Sequence, residues 1–298
     1  SMKTLTYITL FLKLALAVSL VFVCTSILFG QDKAEYKSEH KLKNKEFCSN
    51  NTWSNGDKVS FNEVREMTIP ASGSLSVDGG KNGGIRVKGE NRSDVLVRAC
   101  IQTWGTSDEA ARAAAAGIRI GTSPSVKADS SDGESNWSVS YDVRVPHSTN
   151  LKLNAHNGGI SIGSVEGTLE FETTNGGVNL TDVAGDVKGR TTNGGVNIAL
   201  SGNSWKGSGL DVTTSNGGVN LTLPETYAAN VETGTVNGGF RSDIPSLSIT
   251  TEDIRGERID RTRANRITTS LNGGGAPIRV VTTNGGIRIN STEKSMKY

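Results

Sequence analysis

The side chains that could carry out chemistry are scattered along this sequence and form no recognisable catalytic set. Hydrolysis of a glycosidic bond needs two carboxylates that flank the substrate. Glu166, Glu170 and Glu172 come nearest to such a pair, but they do not recur in the repeated segments around them, which favours solvated strand positions. No GxSxG phrase marks a serine nucleophile. We therefore predict no catalytic residues and a protein that is not an enzyme.

Histidines and acidic residues give little support for a metal site. His147 and His156 are nine residues apart and could approach each other, but the sequence suggests no third ligand. A calcium-binding roll needs an aspartate that recurs after each glycine pair, whereas Asp182 and Asp186 follow only one of them. We predict neither a metal nor another cofactor.

The amino-terminal segment indicates export. After Lys3, an apolar run from Leu14 to Phe29 is typical of a secretory signal peptide, which we assign to residues 1–30. An uncleaved membrane anchor is the alternative. We expect the protein in the periplasm, on the outer cell surface or in the medium, with no other contact to a membrane.

The cysteines and the net charge agree with export. Cys48 and Cys100 follow the apolar segment, and an even pair in an exported chain predicts a disulfide rather than two independent thiols. The whole chain has 32 basic and 30 acidic residues, and removal of Lys3 and Lys13 with the signal peptide leaves the charges balanced. No excess of positive charge favours binding to nucleic acid.

One short phrase dominates the rest of the chain, as in "TTNGGVNL" at 173–180 and "TTNGGVNI" at 191–198. The Asn-Gly-Gly triplet at its centre marks eight predicted turns: Asn82, Asn157, Asn175, Asn193, Asn216, Asn237, Asn272 and Asn284. The five triplets from Asn157 to Asn237 are 18, 18, 23 and 21 residues apart. A repeat near 20 residues predicts a stacked architecture.

The flanks of each triplet alternate between apolar and polar residues, which predicts two short strands joined at a bend. Asn and Gly both tolerate a positive φ, which suits a tight turn. We predict a C-terminal β-solenoid in which Asn175, Asn193 and Asn216 form a ladder of side-chain hydrogen bonds. A further outward row holds Asn179, Asn197 and Asn220. A β-sandwich of stacked hairpins is the alternative.

The remaining segments complete a mainly β organisation. Residues 31–58 are predicted as a flexible polar arm, 59–146 as a mixed lead domain with one helix, 147–290 as the Asn-Gly-Gly repeat domain and 291–298 as a polar tail. In the lead domain, Thr106 as N-cap and Glu109 form a capping box for a helix over 107–116.

An insertion between Asn237 and Asn272 is rich in charge. It is either a charge-balanced solvated segment or a contact loop for an acidic polymer or a partner protein. The arginines of that possible contact loop are Arg255, Arg258, Arg261, Arg263 and Arg266.

Three stretches carry a resemblance to a known family: "FNEVREMTIPASGSLSVDGGKNGGIRVKG", "VRACIQTWGTSDEAARAAAAGIRI" and "LNGGGAPIRVVTTNGGIRI". They resemble the bacterial β-strand-repeat family of unknown function that is labelled "putative adhesin". The resemblance implies an exported β-repeat protein and brings no catalytic residues with it.

The expected function is a non-catalytic binding or adhesin-like module of the cell envelope or surface, with envelope polysaccharide or a surface protein as partner. A carbohydrate-active β-solenoid enzyme and a periplasmic scaffold or regulatory module are the alternatives. The sequence specifies neither the ligand nor the oligomeric state.

Overall fold

The alternation of apolar and polar residues becomes a series of short strands, each with one buried side. A computed structural model of the chain describes residues 47–48, 58–130, 136–247 and 265–292. The predicted signal peptide, most of the polar arm and four of the five contact-loop arginines lie outside the described residues.

The strands in chain order are β1 (Val59–Pro70), β2 (Ser74–Asp78), β3 (Ile85–Glu90), β4 (Asp94–Gly105), β5 (Ile118–Gly121), β6 (Val126–Ser130), β7 (Trp137–Pro146), β8 (Asn150–Ala155), β9 (Ile160–Gly163), β10 (Glu166–Thr173), β11 (Val178–Thr181), β12 (Ala184–Asn193), β13 (Val196–Ala199), β14 (Gly209–Asn216), β15 (Val219–Leu223), β16 (Ala229–Asn237), β17 (Phe240–Ser242), β18 (Asn265–Leu271), β19 (Pro277–Asn284) and β20 (Ile287–Ser291). A helix, α1 (Asp108–Gly117), follows β4, and a short 3-10 helix, η1 (Pro245–Leu247), follows β17.

The strands form two ten-stranded sheets. The first sheet has the order β1-β4-β7-β3-β9-β11-β13-β15-β20-β17, and the second has the order β18-β16-β19-β14-β12-β10-β8-β2-β6-β5. Each repeat therefore contributes one strand to each sheet. For example, β8 lies in the second sheet, and β9, across the Asn-Gly-Gly bend, lies in the first.

Strands of successive repeats pair in parallel and in register. Val178 of β11 is aligned with Val196 of β13, which is aligned with Val219 of β15. The two strands that flank a bend do not pair with each other, as they would in a hairpin. The prediction of a mainly β, solenoid-like stack is therefore confirmed, and the alternative of stacked hairpins is wrong.

Register places like side chains in columns that face the interior. One column of the first sheet and one of the second are at most 3 % exposed; they contain Ile160, Val178, Val196, Val219 and Ile287, and Leu151, Leu169, Val187, Leu210 and Ile278. Full burial of one such aliphatic side chain contributes about 1.5–3 kcal/mol. Each repeat thus covers the apolar side of its neighbours, and one continuous core extends along the stack.

The predicted lead and repeat regions share both sheets. In the first sheet Ile85 of β3 is aligned with Ile160 of β9, and in the second Leu75 of β2 is aligned with Leu151 of β8. Both sheets therefore continue without a break from the predicted lead domain, which ends at residue 146, into the predicted repeat domain, which begins at residue 147.

The order of the final repeats in space differs from their order in the chain. The pair β19/β20 lies between β14/β15 and β16/β17, although it follows both in sequence. The antiparallel strand β18 then forms the outer edge of the second sheet. The sequence did not predict this insertion.

The helix α1 begins one residue later than predicted. Its N-cap is Ser107, whose hydroxyl oxygen accepts a hydrogen bond from the amide of Ala110. The predicted cap at Thr106 and capping box with Glu109 are wrong, because two adjacent hydroxyl residues offer the same signal and only Ser107 reaches the third helical amide. Among the described residues, no helix has the length and hydrophobicity needed to cross a bilayer.

Candidate functional site

Seven of the eight predicted turn asparagines form one continuous ladder along an edge of the stack. After the first member, each donates its side-chain amide to the side-chain carbonyl of the member before it, over 2.7–3.0 Å. In spatial order the ladder contains Asn82, Asn157, Asn175, Asn193, Asn216, Asn284 and Asn237. Asn284, at the end of β19, lies between Asn216 and Asn237, because the pair β19/β20 lies between their repeats.

The glycine after each ladder asparagine is required by close approach of the next repeat. A Cβ atom on Gly176 would lie 2.1 Å from the carbonyl oxygen of Gly158, and one on Gly194 would lie 2.1 Å from that of Gly176. The prediction that these bends use a positive φ is wrong, because none of the ladder asparagines or their glycines lies in the left-handed region.

The first threonine of the repeated phrase "TTNGGVNL" belongs to a column of buried threonines. Thr191, two residues before Asn193, donates its hydroxyl to the carbonyl oxygen of Gly176 over 2.8 Å. Equivalent bonds of 2.7–2.8 Å are made by Thr173, Thr214, Thr235 and Thr282. Sequence reasoning missed this role, although a threonine two residues before five of the asparagines was a usable signal.

Asn272 is a turn residue of a different kind. It has a φ of 47°, and the three glycines after it also have positive φ values. Its side-chain amide donates to the carbonyl oxygens of Glu225 and Tyr227 and does not join the ladder. Asn272 differs from the ladder asparagines because the chain passes over the end of β16 here, on its way from the antiparallel β18 to β19.

A second corner returns the chain from the first sheet to the second. Ser164 and Asp182 occupy the left-handed region there, with φ values of 56° and 49°. In the third repeat this corner is longer, and the Trp205 indole donates to the carbonyl oxygen of Gly185 over 3.0 Å. The five extra residues account for the 23-residue spacing between Asn193 and Asn216.

The structure does not bring the two histidines together. His147 lies before β8 and contacts the carbonyl oxygen of Ser164, whereas His156 follows β8 and contacts the hydroxyl of Thr174. The expectation that they could approach each other is therefore wrong. In the described parts of the chain, no three His, Cys, Asp or Glu residues are placed to hold a metal ion.

The cysteines and one of the predicted contact arginines are also placed. Cys48 and Cys100 are joined by a disulfide, which confirms that prediction. Arg266 lies in β18, where it forms an ion pair of 2.7 Å with Glu232. Arg255, Arg258, Arg261 and Arg263 lie outside the described residues.

The outer face of the second sheet carries charges that neutralise one another. One cross-strand row alternates in sign and contains Lys152, Glu170, Lys188, Asp211, Arg279 and Glu232. Arg279 lies 2.6 Å from the carboxylate of Asp211 and 3.2 Å from that of Glu232. In the neighbouring row Glu172 pairs with Arg190 at 2.6 Å. Glu170 and Glu172, two of the three candidate carboxylates, thus lie on a surface where positive and negative side chains neutralise one another.

The outer face of the first sheet is uncharged at its centre. Asn179, Asn197 and Asn220, which we call the amide row, are exposed on adjacent strands, and Asn197 and Asn220 each donate to the preceding member over 3.0 and 2.8 Å. The outward positions beside the row are small residues: Ser161, Gly163, Thr181, Ala199 and Thr222. The strands β9, β11, β13 and β15, all fully described, contain no titratable side chain.

The amide row continues into arginines at both ends. At one end Arg86 of β3 is aligned with Ser161 of β9. At the other end Arg288 of β20 is aligned with Asn220, and Arg241 of β17 is aligned with Arg288. We call the amide row, its small neighbours and these three arginines the amide face. Its regular spacing and shallow side chains suit the binding of an extended ligand.

Comparison with solved structures finds a match to a chain described as a "putative cell adhesion protein" from Clostridium sporogenes ATCC 15579. The two chains have 12% sequence identity and a TM-score of 0.41, and the match covers 77% of this chain and 100% of that chain. No curated protein matches the chain.

The family comparison covers most of the sequence. Residues 49–290 match the family model described as Toastrack DUF4097, a span that includes β1 to β19 and all but the last residue of β20. The chain therefore belongs to the Toastrack DUF4097 family, a family of unknown function.

Proposed function

We propose that this protein is a non-catalytic binding module of the cell envelope or cell surface, and that it holds an extended polysaccharide on the amide face. The observation that carries the proposal is the amide row, in which identical exposed side chains are fixed in one orientation by their own hydrogen bonds.

The amide row can bind hydroxyl groups without rearrangement. A primary amide has two N–H donors and two carbonyl lone pairs. In Asn197 the row uses one donor, toward Asn179, and one lone pair, toward Asn220. The remaining donor and lone pair are available to the donor and acceptor functions of a sugar hydroxyl.

The geometry of the face favours a polymer over a small ligand. Adjacent strands are about 4.8 Å apart, so the amide row repeats at a constant short distance. Thr181, Ala199 and Thr222 beside it are too short to form the walls of a deep pocket. An extended polysaccharide would gain affinity from many weak contacts made at once.

The position of the carboxylates supports binding rather than hydrolysis. A glycosidase places two carboxyl groups on opposite sides of one bond. Glu170 and Glu172 lie on the outer face of the other sheet, and Glu172 is paired with Arg190.

The disulfide supports a location outside the cytoplasm. Bonds such as Cys48–Cys100 persist in oxidising compartments and are rare in the cytosol. With the apolar segment from Leu14 to Phe29, this favours export to the periplasm, the cell surface or the medium.

The proposal can be tested with the chain from residue 31 onward and a panel of soluble polysaccharides, by affinity electrophoresis and calorimetry. A variant with Asn179→Ala, Asn197→Ala and Asn220→Ala should lose at least about tenfold in affinity if each amide contributes one hydrogen bond. A matched variant on the second sheet, with Lys152→Ala, Glu170→Ala and Lys188→Ala, should bind as the parent does.

Circular dichroism must show that both variants keep the parent's fold. The proposal fails if no polysaccharide in the panel binds the parent. It also fails if the two folded variants lose affinity equally, because the amide face would then have no special part in binding.

A further inference from the structure

We infer that the polysaccharide held on the amide face is acidic, and that Arg86, Arg241 and Arg288 bind its anionic groups. This inference rests on the proposed function and adds the chemical class of the ligand. It follows from three exposed arginines that have no ion-pair or hydrogen-bond partner among the described residues.

Arg241 and Arg288 are the first part of the case. They are directly aligned on the adjacent parallel strands β17 and β20, and both are exposed. Like charges in this position repel each other and destabilise a sheet. Among the described residues neither guanidinium has an ion-pair or hydrogen-bond partner. A bound anion between them would remove the repulsion.

Arg86 provides a similar charge at the other end of the amide row. Asp142 is aligned with it on β7, but that carboxylate contacts Arg98 at 3.3 Å and Arg144 at 3.0 Å instead. Arg86 itself has no ion pair within the described residues. Five strand spacings separate it from Arg288, a distance of about 24 Å.

Arginines of the central and C-terminal strands of the second sheet show a contrast. Arg190, Arg266 and Arg279 each lie within 3.2 Å of a carboxylate. Arg119, on the edge strand β5, is exposed and likewise has no ion pair within the described residues. The three arginines of the amide face thus differ from Arg190, Arg266 and Arg279 in that no described carboxylate pairs with them.

The space between the arginines favours a polysaccharide over the other acidic polymers. Amides and small hydroxyl side chains complement sugar hydroxyls, while guanidinium groups complement carboxylates and sulfates. The described outward positions of β3, β9, β11, β13, β15, β20 and β17 include no aromatic side chain on which a nucleic-acid base could stack.

The test compares two variants of equal net charge. The first carries Arg86→Gln, Arg241→Gln and Arg288→Gln; the second carries Arg190→Gln, Arg266→Gln and Arg279→Gln. Binding is measured to acidic polygalacturonate, alginate and dextran sulfate, to neutral dextran and galactomannan, and to single-stranded DNA and polyglutamate. Folding of each variant is checked by circular dichroism.

We expect the parent to prefer at least one acidic polysaccharide over the neutral ones, with an affinity that falls as salt is added. The first variant should lose at least about tenfold in affinity, since hydrogen bonds to charged groups are strong. The second should stay within about twofold, because screening leaves only a weak effect of distant charge. Asn197→Asp, which places a negative charge in the amide row, should weaken acidic binding more than Asn197→Ala does.

Each contrary result has a distinct meaning. If neutral polysaccharides bind as tightly as acidic ones and the first variant has no effect, this inference is overturned and the proposed function stands. Failure of every polysaccharide to bind would overturn both. Equal binding of DNA or polyglutamate through the same arginines would overturn the assignment to a polysaccharide.

Discussion

The hydroxyl of Thr191 donates a hydrogen bond to the carbonyl oxygen of Gly176 in the neighbouring repeat, across 2.8 Å. Thr191 is buried, whereas Thr192, the next residue, is exposed on the other side of the strand. Two adjacent and identical residues of the repeated phrase therefore have different tasks. The first joins two repeats inside the molecule, and the second faces solvent.

Thr191→Val should destabilise the protein by about 1–3 kcal/mol, because it keeps the shape of the side chain and removes the donor from a buried carbonyl group. Thr192→Val should change the free energy of unfolding by less than about 0.5 kcal/mol. Urea unfolding of the two variants measures the difference. Equal effects would show that the bond to Gly176 contributes nothing particular.

Gly194→Ala should destabilise the protein by about 3 kcal/mol, because the new Cβ atom would lie 2.1 Å from the backbone oxygen of Gly176 and the repeats would have to separate. Gly195→Ala is the matched control. Its Cβ atom would lie 3.5 Å from the nearest atom, an ordinary contact, and we expect a change of less than about 1 kcal/mol. Thermal unfolding compares them, and a tolerated Gly194→Ala would contradict the close stacking of the bends.

Loss of the disulfide should lower stability by about 4 kcal/mol, the chain-entropy estimate for a closed loop of about 50 residues. The comparison is between the parent and a variant with Cys48→Ser and Cys100→Ser, both unfolded in urea. Peptide mapping without reductant should recover the two cysteines in one cross-linked fragment. Recovery of both thiols free from protein exported to the periplasm would contradict the link.

Stability should decline in strongly alkaline solution because of Tyr227. Burial raises its pKa to about 12, from the ordinary value of 10.0. The folded state therefore keeps the proton at a pH where the unfolded chain loses it, so the stabilisation is complete below pH 10.0 and is lost as the pH rises toward 12. Burial also raises the pKa of Tyr141, which adds to the same decline.

Tyr227→Phe should make the decline between these pH values shallower, because it removes one of the two described tyrosines whose pKa is raised by burial. The measurement is the urea midpoint at several pH values, with phenolate absorbance followed in parallel. If stability falls with pH at the same rate in the parent and the variant, Tyr227 titrates alike in the folded and unfolded states and the prediction is wrong.

The stack was predictable from local sequence, because Val178 and Val196 occupy the same place in nearly identical phrases. Identical phrases that each leave one apolar side uncovered favour parallel stacking in register. The ladder through Asn175, Asn193 and Asn216 follows from the same register.

Other features depend on contacts that local sequence does not encode. The second corner uses a left-handed backbone at Ser164 and Asp182. Aspartate tolerates this conformation better than most residues, but serine does not, so the equivalent positions share no local signal. The insertion of β19/β20 is decided by which of several similar strands pair best. Likewise Arg86 and Arg288 share one row only because the four strands between them, β9, β11, β13 and β15, pair in a fixed order.

The place of β19 and β20 between two repeats that precede them has a consequence for biosynthesis. A ribosome delivers β14 to β17 before the strands that separate them in the finished molecule. The nascent chain must therefore keep a gap open, or form a premature pairing and give it up when Pro277 to Ser291 emerges. A chain interrupted before that segment would retain both flanking repeats and lack the layer that joins them.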